Sequence, residues 1–254
     1  MQVTHKYAII YTLKIDMGLA QELKSGTKKS HSAAENTKFV SSFLKGVVDK
    51  ENYRELISNF YFIYHTIEAE VRRLKDDPIV GPLNIPELYR HDALAEDCDY
   101  FFGIDWREKI YPSQACKQYM ERIQEVAHEE PELLVGHHYT RYLGDLSGGQ
   151  ILKNIAEKAL KLEDEGLAFY KFPDIDNKKE FKNNYRATLN KLPVTESQVN
   201  AIVTEANYAF RLNMYMFDEL DGNLFKSTMS YLCGVVKGKN LSLIHISEPT
   251  RHEC

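Results

Sequence analysis

HHYTRYLGDLSGGQ, residues 137–150, is the stretch that decides the fold of this chain. Apolar residues before and after it recur at helical spacing, which predicts that a helix runs through it. It nevertheless contains Gly144, Gly148 and Gly149, and each glycine costs about 1 kcal/mol relative to alanine inside a helix. Glycine allows a bend and lets a flat ligand approach the backbone closely. With the embedded Asp145, the stretch predicts the wall of a site for a planar ligand.

Other interpretations of the same glycines stay open from these residues alone. Gly144 and the pair Gly148-Gly149 could end one helix and start another. A phosphate-binding loop is less favoured, because the sequence has no Gly-x-x-x-x-Gly-Lys-Ser/Thr and no Gly-x-Gly-x-x-Gly, and no strand-like run leads into the segment.

The chain around this stretch is helical in pattern between about residues 19 and 240. No segment alternates convincingly with a period of two, and proline-containing breakers separate the apolar stripes. The sequence therefore predicts an all-α fold with one domain. The stripes are Phe39, Phe43 and Val47; Tyr53, Leu56, Ile57, Phe60, Tyr61, Ile63, Tyr64 and Ile67; Ala115, Tyr119, Ile123, Val126 and Ala127; and Val199, Ile202, Val203, Ala206, Phe210, Met214 and Phe217.

Composition narrows the class of protein. The 254 residues are 43% hydrophobic and 27% charged, as in an ordinary globular domain. A net charge of −5 argues against a general nucleic-acid binder. The four cysteines are far apart and form no Cys-x-x-Cys motif, so neither a disulfide framework nor a structural zinc site is indicated. No apolar run reaches the roughly 20 residues of a membrane span, and we expect no membrane anchor.

The two ends differ from the rest. We expect residues 1–18 to be an extension outside the fold, residues 19–240 to form the domain, and residues 241–254 to be a tail of non-native character. The first segment lacks the arginine and serine typical of a transit peptide.

Two basic clusters are candidates for a binding site. Lys24, Lys28, His31 and Glu35 lie on one face of the first predicted helix, so that His31 could bind a metal while Glu35 orients its imidazole. A solvated charged stripe with an incidental histidine is the simpler interpretation. Lys182 and Arg186, four residues apart on a later helix, form either a surface feature or a clamp for carboxylates.

Other metal and catalytic sites find less support. A di-iron bundle needs paired Glu-x-x-His motifs, and this chain has one, Glu125-x-x-His128. The Gly-x-Ser-x-Gly elbow of a hydrolase is absent. His137 and His138 are adjacent on a helix and point about 100° apart, so they cannot both face one metal.

Several segments together resemble the haem oxygenase family, over about residues 19–226. They are LKSGTKKSHSAAEN, NFYFIYHTIEAEV, PELLVGHHYTRYLGDLSGGQILKNIAEKAL, GLAFYKFPDI, FKNNYR and EANYAFRLNMYMFDEL. LGDLSGGQ is close to diagnostic, and FLKGVV and DELDGNL are most similar to the soluble cyanobacterial and algal plastid enzymes. At His137-His138 the chain differs from relatives that often have one histidine.

The resemblance implies a fold in which haem b lies between a proximal helix and a kinked distal helix. His31 would be the axial iron ligand, with Glu35 beside it. Lys24, Tyr139, Lys182 and Arg186 would contact the haem propionates, with Lys28 a further candidate. Gly144 and Gly148 would pack against the haem and its dioxygen. Asp145 would organise a distal water network with Tyr64, Arg141 and Asn213.

The resemblance also implies the reaction and the partners. Haem would be both substrate and cofactor, cleaved with O₂ and electrons at the α-meso carbon to biliverdin IXα, CO and Fe²⁺. Ferredoxin would be the electron donor, and the product would enter bilin pigment synthesis through a bilin reductase. We expect a monomer in a plastid, or alternatively in cyanobacterial cytoplasm. Rival interpretations are a haem-sensing module, which would not need the Asp145 network, and a purely structural helical protein.

Overall fold

The structure, a computed structural model, describes residues 18–240, with side chains through residue 221. This part of the chain is helical and contains no strand, which confirms the predicted all-α class. The helices are α1 (Leu19–Gly26), α2 (Lys28–Glu35), α3 (Lys38–Leu44), α4 (Lys50–Arg73), α5 (His91–Phe102), α6 (Trp106–Lys109), α7 (Gln114–Glu129), α8 (Leu134–His138), α9 (Gly144–Leu160), α10 (Lys178–Leu189) and α11 (Glu196–Asn240). Single 3₁₀ turns lie at Gly81–Leu83, Pro86–Leu88, Pro131–Leu133 and Ala168–Tyr170.

Three of these helices begin at residues that cap them. Asp49 accepts a hydrogen bond from the backbone N–H of Asn52 at 2.9 Å, where α4 begins. Ser113 caps α7 and Asn177 caps α10 in the same way. Each such side chain satisfies one of the N–H groups that a helix start leaves without an intrahelical partner.

Two long helices, α4 and α11, run through the core. The apolar stripe of α4 is buried, with Tyr53, Ile57, Ile63, Tyr64 and Ile67 fully inaccessible. Helix α11 packs against α1, α2, α3, α4, α7 and α8, so it connects the N-terminal helices with the centre of the molecule. The N-terminal helices are thereby held against the same core as the central ones.

The first predicted helix is two helices, which corrects the sequence interpretation. The chain leaves the helix at Thr27, between Lys24 and Lys28. The backbone oxygen of Gly26 accepts a hydrogen bond from the Asn207 side chain of α11, so contact with α11 competes with the helical hydrogen bonds at this point. Periodicity cannot anticipate such a tertiary bond.

Other differences from the predicted stripes are local. Val47 follows α3 and is 69% exposed, so it does not belong to the core. Helix α10, which carries Lys182 and Arg186, begins at Lys178, where Asn177 caps it.

The helix through the diagnostic stretch is continuous but irregular. Between α8 and α9, residues Tyr139–Leu143 form a π-helical turn, and α9 then runs through all three glycines. The alternative in which the glycines end one helix and start another is therefore wrong. A fourth glycine, Gly136, lets α8 approach α11: a Cβ there would lie 2.9 Å from the backbone N of Ala206 and O of Ile202.

Within residues 18–240, no helix combines the length and the apolar character needed to cross a membrane. The predicted boundaries at the two ends involve residues 1–17 and 241–254, which lie outside the described part of the chain.

Candidate active site

A cavity of about 620 Å³ lies between the N-terminal helices and the glycine-rich start of α9. Most of the exposed lining surface is apolar, although about half of the lining residues are polar or charged. The lining residues are Lys24, Thr27, His31, Ala34, Glu35, Val40, Leu44, Tyr139, Thr140, Arg141, Leu143, Gly144, Asp145, Ser147, Gly148, Ile151, Leu152, Arg186, Phe210, Asn213 and Phe217.

His31 lines one wall of the cavity from α2. Its ring packs edge-on against Phe210, with the ring centroids 5.8 Å apart. Its Nδ1 lies 3.6 Å from a carboxylate oxygen of Glu35, one turn later on the same helix. Because Nδ1 faces Glu35, Nε2 is the ring nitrogen that an iron would use.

The opposite wall is bare backbone. A Cβ added at Gly144 or Gly148 would meet no protein atom within 4 Å, so both positions face open space in the cavity. Gly149 is different, because a Cβ there would contact the Tyr170 ring at 3.6 Å. Two of the three glycines therefore provide the flat wall, and the third accommodates a neighbouring ring.

A buried polar network lies at the inner end of this wall. The Tyr64 hydroxyl donates a hydrogen bond to the carboxylate of Asp145. Arg141 Nε donates to the Tyr64 oxygen at 3.0 Å, and Arg141 Nη1 donates to Asn213 Oδ1 at 2.5 Å. The structure thus brings Asp145 together with the three residues that the resemblance groups around it.

The environment of this network shifts its proton affinities. Burial raises the pKa of Asp145, an effect that Arg141 and the hydrogen bond from Tyr64 partly oppose. Burial also raises the pKa of Tyr64 well above its usual value, so the phenol keeps its proton. Asp145 therefore holds a proton more readily than an exposed carboxylate does.

Positive charge gathers at one end of the cavity. Lys24 and Arg186 line it there together with Tyr139 and Thr27. Burial raises the pKa of Tyr139, while Arg186 and a hydrogen bond with Thr27 act in the opposite direction. This end is suited to an anionic group such as a carboxylate.

Two predicted members of this clamp lie outside the cavity lining. Lys28 is exposed on α2. Lys182 is at the rim, with its Nζ 3.4 Å from the hydroxyl of Ser147, which does line the cavity. Their contacts with a ligand stay predictions.

Some of the lining residues were not predicted from the sequence. Thr27 lies four residues before His31, so the spacing of the basic face could have identified it. Phe210 and Phe217 were assigned to the core stripe, yet both are half-buried because they face the cavity. Their spacing from Asn213 on α11 is the signal that places all three on one face.

The alternative metal site is a di-iron centre. Among the described residues, no group of three or more His, Cys, Asp or Glu side chains could hold a metal ion. A di-iron bundle needs several carboxylate ligands and histidines around its core.

Comparison with known proteins agrees with this geometry. The sequence model of the family described as Heme oxygenase matches residues 17–219. Heme oxygenase 1 of Synechocystis is 52% identical over 213 residues, covering 84% of this chain and 89% of that protein. The heme oxygenase of Rhodella violacea is 50% identical over 223 residues, covering 87% of this chain and 95% of that protein.

A solved structure shows the same fold. The crystal structure of heme oxygenase-1 from the cyanobacterium Synechocystis, in complex with heme, superposes with a TM-score of 0.82 at 50% identity. The match covers 87% of this chain and all of that one. Family model, sequence identity and fold agree over the same part of the chain, and the protein belongs to the haem oxygenase family of enzymes.

Proposed function

We propose that this protein binds haem b in the cavity and cleaves it with O₂ and electrons at the α-meso carbon, releasing biliverdin IXα, CO and Fe²⁺. The observation that carries the proposal is that His31 and the bare backbone of Gly144 and Gly148 line one largely apolar cavity. A flat apolar molecule with a metal at its centre fits between such walls.

The fit extends to the edges of the ligand. Haem is a planar ring with carboxylates at one edge, and the cavity has Lys24 and Arg186 at one end. When bound, haem supplies the iron that activates dioxygen and the ring that is oxidised. Because these glycines carry no side chain, the space beside the ring would be left open for a small diatomic ligand.

On the proximal side, His31 would hold the iron through Nε2. The Glu35 carboxylate lies 3.6 Å from Nδ1, and its negative charge would favour a proton on that nitrogen and so orient the ring. An imidazole is a weaker electron donor to iron than a thiolate, so O₂ chemistry at this site would depend on protons delivered from the distal side.

On the distal side, Asp145 would hold a water and transfer a proton to the reacting oxygen. Burial raises the pKa of this carboxyl above its usual value, which favours its acting as a proton donor. Tyr64 and Arg141 fix its position, and Asn213 fixes that of Arg141. At the cationic end, Lys24, Tyr139 and Arg186, with Lys182 at the rim and Lys28 as a further candidate, would bind the propionates and so set which meso carbon faces Asp145.

Electrons would come from ferredoxin. Exposed lysines lie on α1 (Lys24) and on α2, the helix of His31 (Lys28 and Lys29), and would attract an acidic donor despite the net negative charge of the chain. We further infer that the enzyme is a monomer, works in a plastid or in cyanobacterial cytoplasm, and passes biliverdin to a bilin reductase. The origins of the relatives, which include Synechocystis, Rhodella violacea and Porphyra purpurea, support this assignment.

The test is single-turnover chemistry with stoichiometric haemin. Ferredoxin, its reductase and NADPH are added in air while the absorption spectrum is followed, and CO is trapped with myoglobin. We expect the Soret band to disappear as a biliverdin band grows. His31→Ala should lose this reaction, and added imidazole should restore part of it. A stable Soret band in the wild-type protein despite confirmed reduction would overturn the proposal.

A further inference from the structure

A buried histidine–tyrosine pair lies directly behind the cationic end of the cavity. His138 is the last residue of α8, and Tyr185 lies in α10. Both are buried, with exposed fractions of 0% and 2%. The His138 Nδ1 atom is 2.7 Å from the Tyr185 hydroxyl, and the two rings are nearly parallel, with their centroids 5.6 Å apart.

The protonation state of the pair follows from its burial. Burial lowers the pKa of His138 to about 3, so the imidazole is neutral at physiological pH. Burial also raises the pKa of Tyr185 well above its usual value. The phenol is therefore the donor and Nδ1 the acceptor, which leaves the imidazole proton on Nε2. That nitrogen lies near the Leu83 carbonyl but outside good hydrogen-bond geometry.

The pair is adjacent in sequence to two residues of the cavity lining. Tyr139 follows His138 and Arg186 follows Tyr185, and both line the cationic end. Arg186 is hydrogen-bonded within its own helix, to Asn183 at 3.2 Å. Its position relative to the glycine wall therefore depends on the contacts that hold α10, and the bond from Tyr185 to His138 joins α10 to the segment that leads into that wall.

We propose that His138 is a positioning residue: through its hydrogen bond with Tyr185 it fixes Arg186 relative to the glycine wall and so determines which edge of the haem faces Asp145. This inference rests on the proposed function, because it assigns the clamp a haem carboxylate. The choice of the meso carbon that is cleaved would then depend on the buried hydrogen bond between Tyr185 and His138, although neither residue contacts haem or iron.

The test compares affinities for ferric haem and for its dimethyl ester, which lacks the charged carboxylates. The dissociation constant of the ester divided by that of haem measures the contribution of the carboxylates to binding, and a larger ratio means a larger contribution. Arg186→Ala should lower this ratio. Tyr185→Phe removes one buried hydroxyl and keeps the ring, and it should lower the ratio by about threefold to tenfold, the range expected for one hydrogen bond. Tyr53→Phe, which alters a buried tyrosine outside the cavity lining, is the matched control and should leave the ratio unchanged.

The histidine is tested by removal and by rescue. His138→Leu should lower the ratio as Tyr185→Phe does, and the double variant should add nothing further, because both changes remove the same bond. His138→Asn can place an acceptor near the position of Nδ1 and should restore the ratio. Thermal denaturation identifies any variant that fails to fold, and Tyr185→Phe then carries the test alone.

The product isomers provide a second readout. In Tyr185→Phe we expect biliverdin isomers other than IXα to increase severalfold, while Tyr53→Phe retains the wild-type distribution. An unchanged affinity ratio together with an unchanged isomer distribution in Tyr185→Phe would overturn the inference. If wild-type protein does not cleave haem, the proposed function fails, whereas the affinity ratios still report whether the pair positions a carboxylate clamp.

Discussion

At the scale of single residues, the most consequential arrangement is a carboxylate held in place by a phenol and a guanidinium. Asp145 accepts a hydrogen bond from Tyr64, and Arg141 donates to the oxygen of that tyrosine. The charge of Arg141 opposes the effect of burial on the pKa of Asp145. The carboxylate is thereby kept in a fixed position, with a pKa that stays above the usual value.

Replacing this carboxylate should separate binding from chemistry. In Asp145→Ala we expect haem to bind about as in wild type, because the apolar walls and His31 are unchanged. Biliverdin yield should fall by about a hundredfold, the scale of a lost proton-transfer group, and peroxidase-like oxidation should appear instead. Single-turnover spectra and a peroxidase assay measure the two activities. Asp92→Asn, whose side chain is fully exposed, is the control, and an undiminished biliverdin yield in Asp145→Ala would contradict the role.

Several site residues were predictable from the sequence because their spacing along a helix places them on one face. His31 and Glu35 are one helical turn apart, and the structure places both in the cavity lining. Tyr64 and Asn213 could be associated with Asp145 only through the resemblance, because they are far away in sequence. Lys182 shows the limit of spacing: it is four residues from Arg186, yet it lies at the rim beside Ser147. Which side of a helix faces a cavity depends on tertiary packing.

At the scale of the element, two glycines in the same helical segment have opposite surroundings. Gly148 on α9 faces the cavity, whereas Gly136 on α8 faces the backbone of α11. Glycine lowers helix stability at both positions, but only Gly136 is required for packing within the protein itself.

Replacing each of these two glycines by alanine should have opposite effects on stability. Gly148→Ala should keep or raise stability, by up to about 1 kcal/mol, because alanine favours the helix and its Cβ meets no protein atom. Haem affinity and turnover should fall, since the new methyl group occupies the space beside the ring. Urea unfolding and haem titration measure the two effects.

Gly136→Ala is the counterpart. Its Cβ would lie 2.9 Å from two backbone atoms of α11, so we expect destabilisation of about 1–3 kcal/mol. If Gly148→Ala bound haem as wild type does, the bare wall would not be the surface that contacts the ring.

The elements themselves were predictable to different extents. Proline breakers and buried apolar stripes identify α4, α7 and α11, because these helices show strong periodicity. The break at Thr27 was not predictable, since it depends on the contact between Asn207 and Gly26. The π-helical turn also leaves no sequence pattern of its own: Tyr139–Leu143 continues the helical periodicity on both sides.

At the scale of the whole molecule, one ion-pair cluster joins three helices. Glu205 of α11 accepts hydrogen bonds from Arg122 of α7 at 2.9 and 2.7 Å and lies 2.9 Å from Nε2 of His137, in α8. Burial alone would raise the pKa of Glu205, but these partners hold it at about 2.

This shift predicts how stability depends on pH. A carboxylate whose folded pKa is depressed stabilises the protein above its unfolded pKa of about 4.5 and loses that contribution as the pH falls toward 2. The difference corresponds to about 3 kcal/mol at neutral pH. Glu205→Gln should therefore destabilise the protein by about this amount at pH 7 and much less near pH 3, as measured by urea unfolding.

Glu125 provides the control because it binds the same arginine, at 2.8 Å, but is half exposed. Glu125→Gln should change stability by less than about 1 kcal/mol at either pH, since exposed ion pairs contribute little. Equal effects of the two substitutions would show that burial does not determine the strength of the cluster.

Charge distribution gives a prediction for electron delivery. Lys28→Glu and Lys29→Glu should slow reduction by ferredoxin and weaken its dependence on salt, because long-range attraction to an acidic donor is reduced. Lys117→Glu makes the same charge change on α7, which contributes no residue to the cavity lining, and should leave the rate near wild type. Stopped-flow reduction at two ionic strengths measures both effects, and equal slowing by Lys117→Glu would argue against a proximal docking face.

The π-helical turn constrains the length of the chain as well as its composition. Successive residues of a helix are separated by about 100° around its axis. Deleting one residue from Tyr139–Leu143 could restore ordinary α-helical geometry there, but it would rotate the upstream and downstream halves against each other by roughly that angle. If His138 still faced α10 and Gly136 still faced α11, Asp145 and Gly148 would then be turned away from the cavity. A single substitution within the turn does not cause this rotation. The number of residues in the turn is fixed, because α8 must contact α10 and α11 while α9 presents Asp145 and Gly148 to the cavity.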